Sequence, residues 1–258
     1  MLRPRITPCL LISEGGLVKT VGFKAPKYVG DPINAVKIFN EKEVDELIVL
    51  DIDATANGRA PNERLISQFA VECRMPLCYG GGIRNVEQVK RIIALGVEKI
   101  SLGAAAVDSS DLIGATAREI GSQSVVVVLD VKKVARGGYE VFTHNGTRAT
   151  GLHPVAAAKA AEERGAGEIL VNSIDQDGVM KGYDLELAAM VREATSLPMS
   201  VLGGAGSLAD MRALIERCGV IGAAAGSLFV FKGTYRAVLI NYPDHAQKEE
   251  LIRAVLPR

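Results

Sequence analysis

The chain carries the same parts twice, in the same order and at a nearly constant spacing. Val128-Leu129-Asp130 repeats the place of Cys9-Leu10-Leu11, Gly203-Gly204-Ala205 that of Gly80-Gly81-Gly82, and Gly226-Ser227 that of Gly103-Ala104. Two such halves have to share one core, which leaves few architectures open.

At 258 residues the chain is close to the roughly 250 typical of one eight-fold β/α barrel. Short apolar runs bounded by Gly, Asp or Asn alternate with segments of helical period, the pattern of βα units around a parallel sheet. Strands are predicted over 6–12, 46–51, 77–80, 99–102, 124–130, 168–172, 199–202 and 221–225. Between them, 32–42, 85–95, 154–164 and 208–217 have apolar residues at helical spacing. A doubly wound open sheet usually carries G-x-G-x-x-G at its first turn, whereas here Ser13-Glu14-Gly15-Gly16 follows the first run. Two four-strand halves suit closure, so the expected fold is a single (βα)8 TIM barrel spanning residues 1–258.

Hydrophobic residues make up 48% of the chain, enough for a large core, and 30 basic residues balance 30 acidic ones. Such a balance provides no global field for nucleic acid or an anionic membrane, so any anion must be held by local geometry. No apolar run approaches the ~18 residues needed to span a bilayer, and Met1-Leu2-Arg3-Pro4-Arg5 leads into a strand-length segment, not a secretory core; the expected compartment is the cytoplasm. Cys9, Cys73, Cys78 and Cys218 lack C-x-x-C spacing and read as buried free thiols. His144, His153 and His245 are too scattered to read as ligands, and neither a metal nor another cofactor is implied.

In such a barrel the chemistry sits at the carboxyl ends of the strands, which nominates Asp51, Asp130, Asn172, Asp175 and Asp177. Asp130 follows Val125-Val126-Val127-Val128-Leu129, and a carboxylate desolvated there can hold a raised pKa suited to acid–base work. The plainer reading is a carboxylate fixed by Lys132 or Lys133. Gly203-Gly204-Ala205-Gly206-Ser207 and Ala225-Gly226-Ser227 follow the last two strands, where barrels often bind phosphate on loop amides that a missing Cβ leaves open.

Ordered blocks along the whole chain resemble the HisF family, the cyclase subunit of imidazole glycerol phosphate synthase. They are Asp31-Pro32, Asp45-Glu46-Leu47, Leu50-Asp51, Tyr79-Gly80-Gly81-Gly82-Ile83-Arg84 and Gly121-Ser122-Gln123 in the first half. Arg164-Gly165-Ala166-Gly167-Glu168-Ile169-Leu170, Asp175-Gln176-Asp177-Gly178, Gly182-Tyr183-Asp184 and Gly203-Gly204-Ala205-Gly206 follow in the second. The resemblance implies a barrel that receives ammonia from a HisH-like glutaminase docked at its amino-terminal face, with the ammonia passing through the barrel. It also implies an entrance gate of alternating charge, matched by Arg5, Glu46, Lys99 and Glu168; without the resemblance these read as ordinary solvated residues. Of the two aspartates that the family uses in catalysis, one is retained as Asp130 and the other corresponds to Leu11, which cannot exchange a proton. Lys19 and Asp51 match further catalytic positions, and Glu14 is the nearest carboxylate able to substitute for the missing acid. For phosphate, Asp177, Gly178, Gly204, Gly226 and Ser227 match the second site; in the first, Gly82 remains but Gly103-Ala104 replaces an Asn-Thr pair. Cys78 and Asn172 each replace a threonine, and Leu202 replaces a serine.

A kept entrance with an altered mouth resembles the divergent, glycosyl amidation-associated (WbuZ-like) branch. That branch, with a HisH-like glutaminase and a third, amidotransferase protein, converts acetamido to acetamidino sugars for lipopolysaccharide, which implies a phosphorylated or nucleotide-sugar substrate. One alternative is a working cyclase of the lyase type in histidine biosynthesis. The other is a non-catalytic conduit that activates the glutaminase and passes ammonia on.

Overall fold

The computed structural model describes residues 3–109, 111–135 and 137–253; Met1 and Leu2, part of the amino-terminal segment read above, lie outside them. Eight parallel strands form the barrel: β1 (Arg5–Ser13), β2 (Leu47–Asp51), β3 (Leu77–Gly80), β4 (Lys99–Leu102), β5 (Val125–Lys133), β6 (Glu168–Ser173), β7 (Met199–Leu202) and β8 (Gly222–Ala225). Each pairs with the next, and Arg5↔Gly222 to Pro8↔Ala225 joins β1 to β8, so the sheet closes.

Side chains alternate across a strand, and the barrel uses this to build two cores. Outward residues such as Ile169 and Val171 join the large core shared with the surrounding helices. Inward residues form a smaller, separate cluster of Cys9, Ile48, Cys78, Val126, Val128, Leu170, Leu202 and Ala224. The helices start where short polar side chains accept from a free amide: Asp31 from Asn34, Asn85 from Gln88, Asp184 from Leu187 and Ser207 from Asp210. Among the described residues no helix is long and apolar enough to cross a membrane.

The duplication is visible in backbone contacts. A Cβ on Gly81 would stand 2.4 Å from the Asp51 carbonyl oxygen at the end of β2, and one on Gly203 2.6 Å from that of Ser173 at the end of β6. Both glycines also have positive φ, so each half needs a glycine there for the same two reasons.

Two hairpins were not anticipated. β1 runs past residue 12 into a two-residue turn, Glu14 (φ 50°) and Gly15 (φ 79°), and returns as Gly16–Val21, which pairs in turn with Lys24–Gly30. Both turn residues are left-handed, the form a two-residue hairpin turn favours. β5 likewise continues into Tyr139–Thr143 and Arg148–Ala149. The cysteines divide: Cys9 and Cys78 are buried inside the barrel, whereas Cys73 and Cys218 are half-buried at helix ends, which corrects the reading of all four as buried.

Candidate functional site

At the carboxyl ends of the strands a single cavity is lined by Lys19, Asp51, Asp130, Asn172, Asp177, Gly178, Gly204, Gly226 and Ser227, residues drawn from both halves of the chain. Closure of the barrel brings them together across large sequence separations.

Asp130 stands on the inward face of β5 and accepts a 2.9 Å hydrogen bond from Nδ2 of Asn172. Burial pushes its carboxyl up to about 7; the Asn172 bond works the other way, and the Asp177 charge adds to the rise. The reading in which Lys132 or Lys133 neutralises it is corrected. Lys132 lies over the Phe142 ring, and Lys133 over Tyr139 and beside Asp184, because both continue β5 into its outer hairpin, away from the barrel axis. Leu11 lines the same cavity, so one wall is apolar where its counterpart Asp130 is acidic.

Lys19 reaches the cavity from the first hairpin. Its Nζ donates to the Cys9 carbonyl oxygen at 2.9 Å, and burial draws its pKa below the usual lysine value, opposed by the charges of Cys9 and Asp177. The space comes from Gly226, where a Cβ would stand 2.6 Å from Nζ. With φ at −103°, Gly226 is glycine for room and not for backbone conformation. Gly226→Ala should therefore lift Lys19 from Cys9 and crowd the Cys9 carbonyl, 3.3 Å from the added Cβ, with a modest fall in unfolding temperature. The affinity for inorganic phosphate that the resemblance implies, read by titration calorimetry, should fall about tenfold, or ~1.4 kcal/mol; unchanged binding would separate Lys19 from phosphate.

Asp51 caps the helix Ile52–Ala56, its Oδ1 accepting from Asp53 and Ala54 amides. Burial raises its pKa, those amides oppose the rise, and the carboxylate faces the cavity already committed to local structure. Asp177 is similarly engaged: its amide donates to the Ile174 carbonyl, and its Oδ2 accepts from Thr20 Oγ1 at 2.6 Å and Phe23 N at 3.1 Å. It thus ties the first hairpin over the mouth. Gly178, φ 68°, passes under Thr20 with room for no Cβ.

The first half is poorer in anion donors. Gly82 stands outside the cavity lining, its amide donating to Thr55 Oγ1 at 3.2 Å, while Gly103 and Ala104 line the wall with no side-chain donor. Glu14 is exposed at the turn of the first hairpin, its amide bonded to Asp53, and does not line the cavity beside Leu11.

Sequence reasoning missed Phe23, His144 and Asn145. His144 (φ 52°) and Asn145 (φ 56°) form the tip of the second hairpin and line the cavity, with His144 Nδ1 3.1 Å from Thr143 Oγ1. The Asn145-Gly146 pair was the available signal for that turn. A Cβ on Gly146 would stand 3.4 Å from the Phe23 ring, so this tip meets the turn between Gly16–Val21 and Lys24–Gly30 over the mouth. His153, by contrast, caps its helix.

At the opposite end of the barrel, Arg5, Glu46, Lys99 and Glu168 form a closed ring. Arg5 bonds Glu46 at 2.6 Å and Glu168 at 2.5 Å; Lys99 bonds the other oxygens of the same carboxylates at 2.7 and 2.9 Å. Both glutamates are about 5% exposed, which overturns their reading as ordinary solvated residues. Burial alone would raise Glu168, but Arg5 and Lys99 hold it below the usual carboxylate range.

The histidine biosynthesis protein family model matches residues 5–236. A Leptospira interrogans protein, provisionally named imidazole glycerol phosphate synthase subunit HisF, is 57% identical over 97% of this chain and 99% of its own. A Pseudomonas aeruginosa protein, provisionally named subunit hisF2, is 55% identical over 95% and 97%. A Hyphomonas neptunium protein named imidazole glycerol phosphate synthase subunit HisF is 40% identical over 90% and 91%.

Proposed function

The chain belongs to the HisF family of histidine biosynthesis proteins, and we propose that it is the ammonia-using subunit of a glutamine amidotransferase complex whose substrate is not that of histidine synthesis. A HisH-like glutaminase docks on the charged ring, and ammonia crosses the barrel to a phosphorylated or nucleotide sugar, in which an acetamido group becomes acetamidino. A third protein activates that sugar. The setting is assembly of surface lipopolysaccharide, and the work is cytoplasmic.

The observation that carries the reading is an intact entrance below an altered mouth. The four ring residues pair completely. Above them the lumen is lined by the apolar inner cluster, interrupted by the unpartnered hydroxyls of Thr7 and Ser101, a surface that offers a small polar neutral molecule hydrogen bonds without holding it. At the mouth Asp130 faces Leu11 across the cavity, and Glu14 does not line it. Loss of one general acid or base costs on the order of 10²- to 10⁴-fold. Asp130 serves as the remaining base, Lys19 and Asp51 shape its surroundings, and the Gly178, Gly204, Gly226 and Ser227 backbone receives phosphate.

A histidine-pathway cyclase is the second reading, favoured by the 40% identical relative whose name carries that activity. Ammonium-driven turnover of the phosphoribulosyl-formimino carboxamide ribotide of histidine synthesis, by the purified chain beside Leu11→Asp, separates the two. The natural chain is expected to be inactive and the variant partly active. Clear turnover by the natural chain would assign it to histidine synthesis instead.

A further inference from the structure

Asn172 ends the inward face of β6, two residues above Leu170 of the apolar inner cluster and four above Glu168 of the ring. It is 5% exposed and its two polar atoms have different fates. Nδ2 donates to Asp130; Oδ1 has no partner. Little among the described residues can supply one, because the neighbouring inward residue in register is Leu202, and beyond it Gly203 brings no side chain, though an added Cβ would stand only 3.4 Å from Oδ1. A buried acceptor without a donor costs about 1–3 kcal/mol, a penalty that a ligand bearing N–H groups removes.

The direction of the amide matters. Because the NH2 end is turned to Asp130, a carboxylate and an amide oxygen stand side by side, both as acceptors, in a cavity whose lysine is held by the Cys9 carbonyl instead. Phosphate oxygens are repelled by such a pair and a single hydroxyl satisfies half of it. A small group with several N–H donors satisfies both. The pair also sits directly above the apolar layer, where a molecule leaving the lumen regains polar contacts.

We infer that Asn172 Oδ1 and Asp130 together form a docking site for the transferred nitrogen, as ammonia or ammonium, where the barrel lumen opens into the mouth. The inference rests on the proposed function for the route of the nitrogen, but its test needs neither glutaminase nor sugar. Protein labelled with ¹⁵N is titrated with ammonium chloride, with potassium chloride as the control of equal charge and similar size, above the pH at which Asp130 ionises. The Asn172 carboxamide signals, identified by their loss in Asn172→Leu, and the Gly203 amide are followed.

Saturable shifts with ammonium and not potassium are expected, absent at Gly203 in Asn172→Leu and at least about tenfold weaker in apparent affinity in Asp130→Asn. Should the leucine variant not fold, Asn172→Val carries the same readout. Equal responses to the two salts, or an ammonium-specific shift at Gly203 that survives removal of the amide, would overturn the site. Turnover of the histidine-pathway substrate would sink the substrate reading and leave this result standing, so the two failures are distinguishable.

Discussion

Replacing Glu168 by alanine is expected to cost the barrel a large part of its stability, because it opens a ring of ion pairs at the base of the lumen. Its carboxylate accepts from Arg5, Lys99 and Ser200 Oγ, the last at 2.7 Å, so truncation takes a partner from three donors at once and leaves Arg5 and Lys99 with Glu46 alone. Removing one partner of a buried ion pair costs about 3–5 kcal/mol because the other charge stays desolvated. The Arg5 side chain keeps 30% of its exposure, which brings the expected cost nearer to about 3 kcal/mol, a fall in unfolding temperature of roughly 6–12 °C for a domain of this size. Thermal unfolding checks it. Glu168→Gln keeps the shape and a bond from Ser200 but opens the ring electrostatically. Transfer driven by glutamine should then fall far more than transfer driven by added ammonium. Equal losses would detach the ring from nitrogen delivery. The acid limb has a definite sign. A carboxyl held below its ordinary value contributes stability above the unfolded pKa, and that contribution disappears as pH falls through the lowered value. Both variants should therefore flatten the loss of stability below about pH 4.5.

Asp130→Asn should separate activity from stability. The asparagine is nearly isosteric and its Oδ1 can still accept from Asn172 Nδ2, yet it takes no proton, so glutamine-driven transfer in the reconstituted complex should fall on the order of 10²- to 10⁴-fold. Stability should move the other way. A carboxyl raised to about 7 binds its proton more tightly in the folded protein than in the unfolded chain. Its protonated form is the favoured one, and stability falls as pH rises from about 4 to about 7 before levelling. A shift of this size corresponds to about 4 kcal/mol. The variant lacks that slope and should be the more stable protein above pH 7 by up to this amount, with little difference at pH 4. Denaturant unfolding across this range checks it. Parallel curves for the two proteins would mean that Asp130 ionises at its ordinary value, and full transfer by the variant would mean that the barrel acts as a conduit.

The strands were legible because a parallel barrel strand is short, apolar and bounded by turn residues. The observed ends of the eight strands mostly lie within one residue of expectation, and Leu77–Gly80, Lys99–Leu102 and Met199–Leu202 coincide with it. The departures are at β1 and β5, which run on into hairpins. Their alternation there is half solvent-facing, so hydrophobic period alone could not carry the strand past Ile12 or Asp130. Gly15, Gly22, Gly137-Gly138 and Asn145-Gly146 were the local marks of those turns. For the same reason Phe23, His144 and Asn145 were absent from the expected site: each owes its place to a hairpin folded back over the mouth.

Lys19 and Gly178 came only through the family resemblance, whereas residue types at strand ends were enough to nominate Asp130 and the glycines after β7 and β8, because barrel chemistry collects there whatever the details. They could not say how each group is spent. Asp51 and Asp177 look alike in sequence to Asp130, but two amides claim the first and a threonine and an amide claim the second. The amide of Gly82 goes to Thr55. Hydrogen bonds of this kind depend on loops that approach from other strands, and a linear pattern carries no record of them.

What the sequence determined by itself is the duplicated barrel, through the period and spacing of its apolar residues, and the absence of an acid at Leu11. Only the tertiary structure decided that four dispersed charges, from Arg5 to Glu168, close into one ring around two buried glutamates, and that Asn172 turns its donor to Asp130 and leaves its oxygen free. Composition sets which groups are available. Pairing them takes closure of the sheet, which brings residues more than a hundred positions apart to within 3 Å, at distances where burial and charge, and not sequence neighbours, fix their state.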